Sequence, residues 1–304
     1  MDKTPNITMT TSSKRGFALM ITLSVLSVVI ALTMVLLSYF NEVKEDADTT
    51  KALIQANVYY ADILSQFNKF KNKKTLFSQL YRSSTSLRSP EGRFKLMLRC
   101  KPIANGVNIN WLAFEHDTKK QALFQEAQTL FDVLAQQYNL EDADRLLEMI
   151  LLEIGIGKKF LTRELSRLKQ KYGIISVKQF LEIIQRYQLE VDDEKVGRIP
   201  WSKYFSFSGK SEKIDAEYSS AELISYLFDI DLVSVREWMS SREKPALKTF
   251  VENNGGDYNA KKGLLAAGTF LGESSCEIRY GDGYRFTFNY IEGAAKHFEF
   301  FGKH

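Results

Sequence analysis

From Phe17 to Phe40 the chain runs for 24 positions without a charged residue. As a helix rising about 1.5 Å per residue, that run is roughly 36 Å long. It spans a hydrocarbon core of about 30 Å with some tilt. Beyond it the polar residues return, but Ala52, Ala56, Tyr59, Ile63, Phe67 and Phe70 recur every three or four positions. This stripe predicts that the helix continues outward as an amphipathic extension that needs a sheet to lie on. Strict alternation follows over 93–100, where Phe94, Leu96, Leu98 and Cys100 are interleaved with Lys95, Met97 and Arg99. That is the period of a half-buried strand. Val107, Ile109 and Trp111 alternate with Asn108 and Asn110 and predict a second strand, joined to the first through 102–106.

The period then changes to that of helices. Phe124, Ala127, Phe131, Leu134 and Tyr138 form one helical set. Leu140, Ala143, Leu147, Ile150 and Ile154 form a second, and Leu161, Leu165, Leu168 and Tyr172 a third. Ser176 with Gln179, and Ser219 with Glu222, have the spacing of capping boxes opening helices over 177–189 and 221–229. Strands return at the end: Cys276, Ile278 and Tyr280, a Gly281-Asp282-Gly283 turn, then Tyr284, Phe286, Phe288 and Tyr290 predict a hairpin, and 295–301 a further strand. Strand, helical block, strand is the order of an α-domain inserted into an α+β body.

Composition adds a folded ectodomain to this picture. The 304 residues are 44% hydrophobic and 26% charged with only 5 Pro, the balance of a protein with a core. The net charge of +4 neither requires nor excludes a nucleic-acid partner. Charge placement says more. Lys3, Lys14 and Arg15 precede the apolar run, while Glu42, Glu45, Asp46 and Asp48 follow it, so the positive-inside rule puts the N-terminus in the cytoplasm and exports the rest. A cleaved secretory signal fits poorly, because its apolar region is about 7 to 15 residues and ends in small residues, whereas this one ends in Ser38-Tyr39-Phe40. A plain signal anchor stays open on hydropathy alone. Cys100 and Cys276 can pair if the compartment is oxidising, and two buried free thiols are the alternative.

The boundary Lys14-Arg15-Gly16-Phe17-Ala18-Leu19-Met20 resembles the type IV prepilin signal. The resemblance implies cleavage after Gly16 by a membrane prepilin peptidase and N-methylation of Phe17. It divides the chain into a cytoplasmic leader (1–16), a transmembrane helix (17–40), a pilin-like α/β domain (41–115 and 200–304) whose long helix packs on an antiparallel sheet, and an inserted α-helical domain (116–199). Most of the family carries a glutamate at the fifth mature position, where this chain has Ile21. That departure is similar to the K-class minor pseudopilin of type II secretion systems, which caps the pseudopilus tip. Val107-Asn108-Ile109-Asn110-Trp111-Leu112 resembles that class's Asn-rich turn before its insertion. Lys213 to Leu223 has the shape of the second such turn, with Asp215 and Glu217 in place of asparagines. The implied function is protein export by assembly rather than catalysis. The implied partners are the I-class and J-class minor pseudopilins, the major pseudopilin, the prepilin peptidase and the assembly platform, and nucleic acid is not among them. The implied location is the bacterial inner membrane, single-pass, with a periplasmic body.

The family's insertion is associated with calcium. The corresponding stretch, Glu148-Met149-Ile150-Leu151-Leu152-Glu153, lacks the closely spaced oxygens a hard cation needs. Asp192, Asp193 and Glu194 remain weak metal candidates, with a solvated acidic loop as the plainer reading. Catalytic signals are missing from the sequence: His116, His297 and His304 sit in unrelated contexts, and no HExxH, GxSxG, CxxC or complete phosphate loop occurs. Gly155-Ile156-Gly157-Lys158-Lys159 reads as a glycine stop between helices or as the hairpin of a DNA-binding module. Two rival readings follow, a DNA-uptake pseudopilin and a membrane-anchored exported enzyme.

Overall fold

The computed structural model describes residues 12–88, 95–155, 173–241, 243–281 and 283–303. The helix expected over 161–172, Phe94, residues 156–159, Asp282 and His304 lie outside them. The chain forms two units that meet between Ile63 and Leu64. The first is most of one helix, α1 (Ser12–Lys69, 58 residues). Its apolar half is long and hydrophobic enough to cross a membrane, with a mean hydropathy of 2.6 over its best window and none of that window buried.

The second unit begins with the last turn of α1 and continues through α2 (Lys73–Arg82) and β1 (Thr85–Arg88), neither of which the sequence pattern announces. Asn72 caps α2 by accepting from the Thr75 amide. β2 (Lys95–Pro102) shows the expected alternation, with Leu96, Leu98 and Cys100 buried and Lys95, Met97 and Arg99 exposed. After β3 (Val107–Asn108) the expected strand stops. Residues Ile109–Phe114 form a 3-10 helix instead, because the Asn108 side chain turns back to accept from the Asn110 amide.

The helices α3 (Gln121–Gln137), α4 (Ala143–Ile154) and α5 (Val177–Val191) follow. Gly155 ends α4 in the left-handed region, and Ser176 opens α5 by accepting from Gln179 N. Next come α6 (Trp201–Tyr204), β4 (Phe205–Ser206), α7 (Ala221–Phe228), α8 (Leu232–Ser240), α9 (Leu247–Asn253) and α10 (Tyr258–Lys261). The cap of α7 is Ser220, whose Oγ accepts from Leu223 N, and not Ser219, whose hydroxyl is buried without a partner among the described residues. One hydrophobic cluster runs from Val107 to Leu265. Trp201 sits in it, with ring centroids 5.5 Å from Phe180, 6.1 Å from Phe205 and 6.2 Å from Phe131. Packing therefore does not respect a boundary near residue 199: the helices after it share the core of those before it.

The chain closes with β5 (Glu273–Tyr280), β6 (Tyr284–Ile291) and β7 (Ala294–Phe301). The main sheet is antiparallel with order β1-β2-β5-β6-β7. Cys100 lies directly opposite Cys276, and the two form a disulfide across 176 residues of chain. Lys101 opposes Ser275 and Pro102 opposes Ser274, so the helical block leaves the sheet and rejoins it at adjacent strand ends. On the buried sheet face Phe288 and Tyr290 meet Phe67 at 6.3 and 5.5 Å, and Phe77 meets Tyr290 at 5.2 Å. Phe67 thus fulfils the apolar stripe, while Phe70 is half exposed.

Candidate functional site

Two places gather the residues the sequence singles out. The first is the N-terminal half of α1. The Gly16–Phe17 peptide lies near the N-terminal end of the described helix, where fraying is easiest. Phe17 and Ile21 are exposed, as are Met20, Leu26, Val35 and Leu36. Three hydroxyls in the run bond along the helix itself: Thr22 donates to Leu19 O at 2.8 Å and Ser27 to Leu23 O at 2.9 Å, and Thr33 donates to Val29 O. Such a surface offers lipid or a partner helix apolar groups, with these three hydroxyls already bonded. No acid interrupts 17–40, so a charge partner within that span is not required.

The second place is the node where the helical block joins the sheet. Asn108 Nδ2 donates to the carbonyls of Ser208 (2.9 Å) and Ser211 (3.1 Å), and its Oδ1 accepts from Asn110 N and Nδ2. Asn110 Oδ1 accepts from Ile174 N at 2.7 Å, while its Nδ2 reaches Ile174 O and Ser208 O. Trp111 Nε1 donates to Ser211 O at 2.8 Å. The Asn-Ile-Asn-Trp run therefore ties itself to two distant segments, at Ile174 and at Ser208 to Ser211, through buried, satisfied amides, a strong geometric constraint on the core. Two glycines make room for it. A Cβ on Gly173, whose φ is +91, would lie 2.9 Å from Asn110 Oδ1. One on Gly106 would lie 2.6 Å from the Phe205 carbonyl carbon, where β3 pairs with β4.

Asp215, one of the two acids standing in the second turn, is buried, and its amide donates to Ala104 O at 2.7 Å. Burial, with the charge of Glu217 second, pushes its carboxyl up to about 7. Tyr81, whose hydroxyl is paired with Ser274 Oγ, and Tyr218 face it, with their rings 5.0 Å apart. Glu222 behaves oppositely: burial raises it, but hydrogen bonds from Lys203 and Arg236 outweigh that and hold its carboxyl below the usual range.

The metal candidates are placed for structure. Asp192 is the left-handed C-cap of α5. Asp193 is buried, and its oxygens accept from the amides of Glu141 (3.0 Å) and Lys195 (2.9 Å). Glu194 opens the 3-10 helix at 194–198. Among the described residues no group of three His, Cys, Asp or Glu is arranged to hold a metal ion. Glu148 pairs with Arg145 and Glu153 accepts from Gln179, which commits the ends of the second acidic stretch as well. His116 is exposed, and His297 lines a cleft of about 790 Å³ between the polar sheet face and the start of α5. The hydroxyls of Ser176 and Ser206 in that cleft are committed to the α5 cap and to Gly106 O. Lys158 and Lys159 are outside the described residues.

Comparison with protein-family models, with characterised proteins and with solved structures finds no match to this chain. The reading of its role rests on the residues above.

Proposed function

We propose that this chain is a K-class minor pseudopilin that caps the tip of a type II secretion pseudopilus and works by assembly, not catalysis. The observation that carries the reading is the apolar run itself, opened by Lys14-Arg15-Gly16-Phe17 and free of acid through Phe40. Cleavage after Gly16 would leave a helix with no charge to match on a neighbour above it, as a first subunit requires. The body adds support: a pilin-like α/β unit would carry its long helix and antiparallel sheet, and the helical block inserted between β2 and β5 would be too bulky for a filament shaft. The Cys100–Cys276 disulfide suits an oxidising compartment such as the periplasm.

On this reading the prepilin peptidase removes residues 1–16, the helix 17–40 packs with those of the I-class and J-class subunits, and the body docks on theirs above the major pseudopilin. The chain in detergent extract from its native membrane should co-purify with the two partner subunits in equal copy number. Recovery of the chain alone, or as a multiple-copy polymer, would contradict a tip role.

A further inference from the structure

One face of the main sheet packs under Phe67 and Phe77; the opposite face is open and strongly basic. Down β2 it presents Lys95, Met97, Arg99 and Lys101, all exposed. At two places the ladder sets like charges directly across from each other: Arg88 opposes Lys95, and Arg279 opposes Arg285. Lys296 adds a base on β7, and the acids on this face are Glu277 and Glu299. Seven bases against two acids leave a surplus of five, where the whole chain's surplus is four. The chain's net charge is therefore gathered here.

That arrangement works against the fold. Neighbouring strands are about 4.8 Å apart and alternate residues about 6.7 Å, so these cations stand within a screening length of about 8 to 10 Å. Like charges directly opposite destabilise a sheet. Glu277 is engaged by Arg279, and the Arg285 guanidinium lies 4.6 Å from the centre of the Phe301 ring. Among the described residues no salt bridge engages Lys95, Arg99 or Lys101. They form a stripe about 20 Å long, with Met97, 44% exposed, set into it.

The stripe fits an acidic protein surface better than a nucleic acid. Single strands are held by stacking on aromatic rings, and the ring among the described residues of this face, Phe301, is covered by Arg285. Arg and Met are the residues that protein interfaces enrich. A helix covers an open sheet face with its own backbone bonds already made. One helical turn advances about 6 Å, close to the spacing along β2.

We propose that this face docks an acidic helix of a partner protein, with an apolar side chain on Met97 and carboxylates on Lys95, Arg99 and Lys101. The proposal rests on the sheet alone and stands or falls apart from the tip role.

The test uses the full chain in neutral detergent micelles and an alanine-rich helical peptide of about twenty residues. Its glutamates lie one turn before a central leucine and one and two turns after it, on the same face. Fluorescence anisotropy at about 50 mM salt should show saturable binding, weakened about threefold by Lys95→Ala or Arg99→Ala and about tenfold by Arg99→Glu. Met97→Lys exchanges the apolar anchor for another cation, so it should weaken the peptide about threefold while tightening a single-stranded oligonucleotide. Moving the leucine to the peptide's opposite face should also cost about threefold. Tighter peptide binding by Met97→Lys, or an oligonucleotide that binds the unaltered chain at least as tightly as the peptide, would overturn the protein partner in favour of a polyanion. Absence of saturable binding up to about 1 mM peptide, or equal affinity in Arg99→Glu, would overturn the face as a docking surface.

Discussion

The apolar half of α1 and the core around Trp201 use the same residue types and treat them oppositely. In the core Leu130, Ile150, Leu223 and Ile224 are fully buried. In the helix Leu26, Val28, Ile30 and Leu36 stand 47–65% exposed. A hydrophobic surface hidden inside a molecule is specified by its neighbours: volume, ring geometry and a satisfied polar node decide which side chain fits. A surface handed to lipid or to other helices is specified only by what it lacks, namely charge and unmet hydrogen bonds. The body should therefore respond to subtle changes of shape, and the helix to changes of charge.

The largest expected effect falls on the body. Replacing both Cys100 and Cys276 with Ala frees a loop of 176 residues and should cost about 4 to 5 kcal/mol in denaturant unfolding. Insertion of the helix in membranes should be unaltered. A charge reverses the comparison: Val28→Arg, in the middle of the exposed run, should cost about 3 kcal/mol of insertion. Fractionation would show the chain leaving the membrane while the body's melting temperature holds.

Asp215 sharpens the contrast through pH. Its carboxyl is near 4 unfolded and about 7 folded, so folding favours the neutral form. Stability is full below pH 4 and falls as pH rises toward 7, because the unfolded chain releases that proton first. Asp215→Asn should stabilise the body by on the order of 2 kcal/mol at pH 8 and by almost nothing at pH 4. Equal gains at both values would contradict the burial argument. The smallest effect is a cap: Ser220→Ala should cost about 1 kcal/mol by removing the α7 N-cap. Ser219→Ala should not, since among the described residues its hydroxyl has no partner.

Much of this architecture was legible because it is written in local periods. The alternation of Leu96, Leu98 and Cys100, the hairpin around Gly281 to Gly283, the strand expected over 295–301 and the helices α3 and α4 appear within a few residues of where the pattern puts them. What was not legible depends on contacts distant in sequence. Ile109 and Trp111 alternate like a strand, yet Asn108 turns the chain because its partners, Ser208 and Ser211, are a hundred residues away. The sequence leaves the pairing of Cys100 with Cys276 open, since only the β2–β5 register brings them together. The helical core extends past residue 199 because Trp201 and Phe205 pack backward onto Phe180 and Phe131. α2 and β1 lack a long apolar period, so no local pattern marks them.

The central claim is that the helix is a handle released after Gly16. Intact mass and N-terminal sequencing of the chain extracted from its native membrane test it directly. The account predicts a chain beginning at N-methylated Phe17; an intact Met1 terminus on the membrane-embedded protein would contradict it.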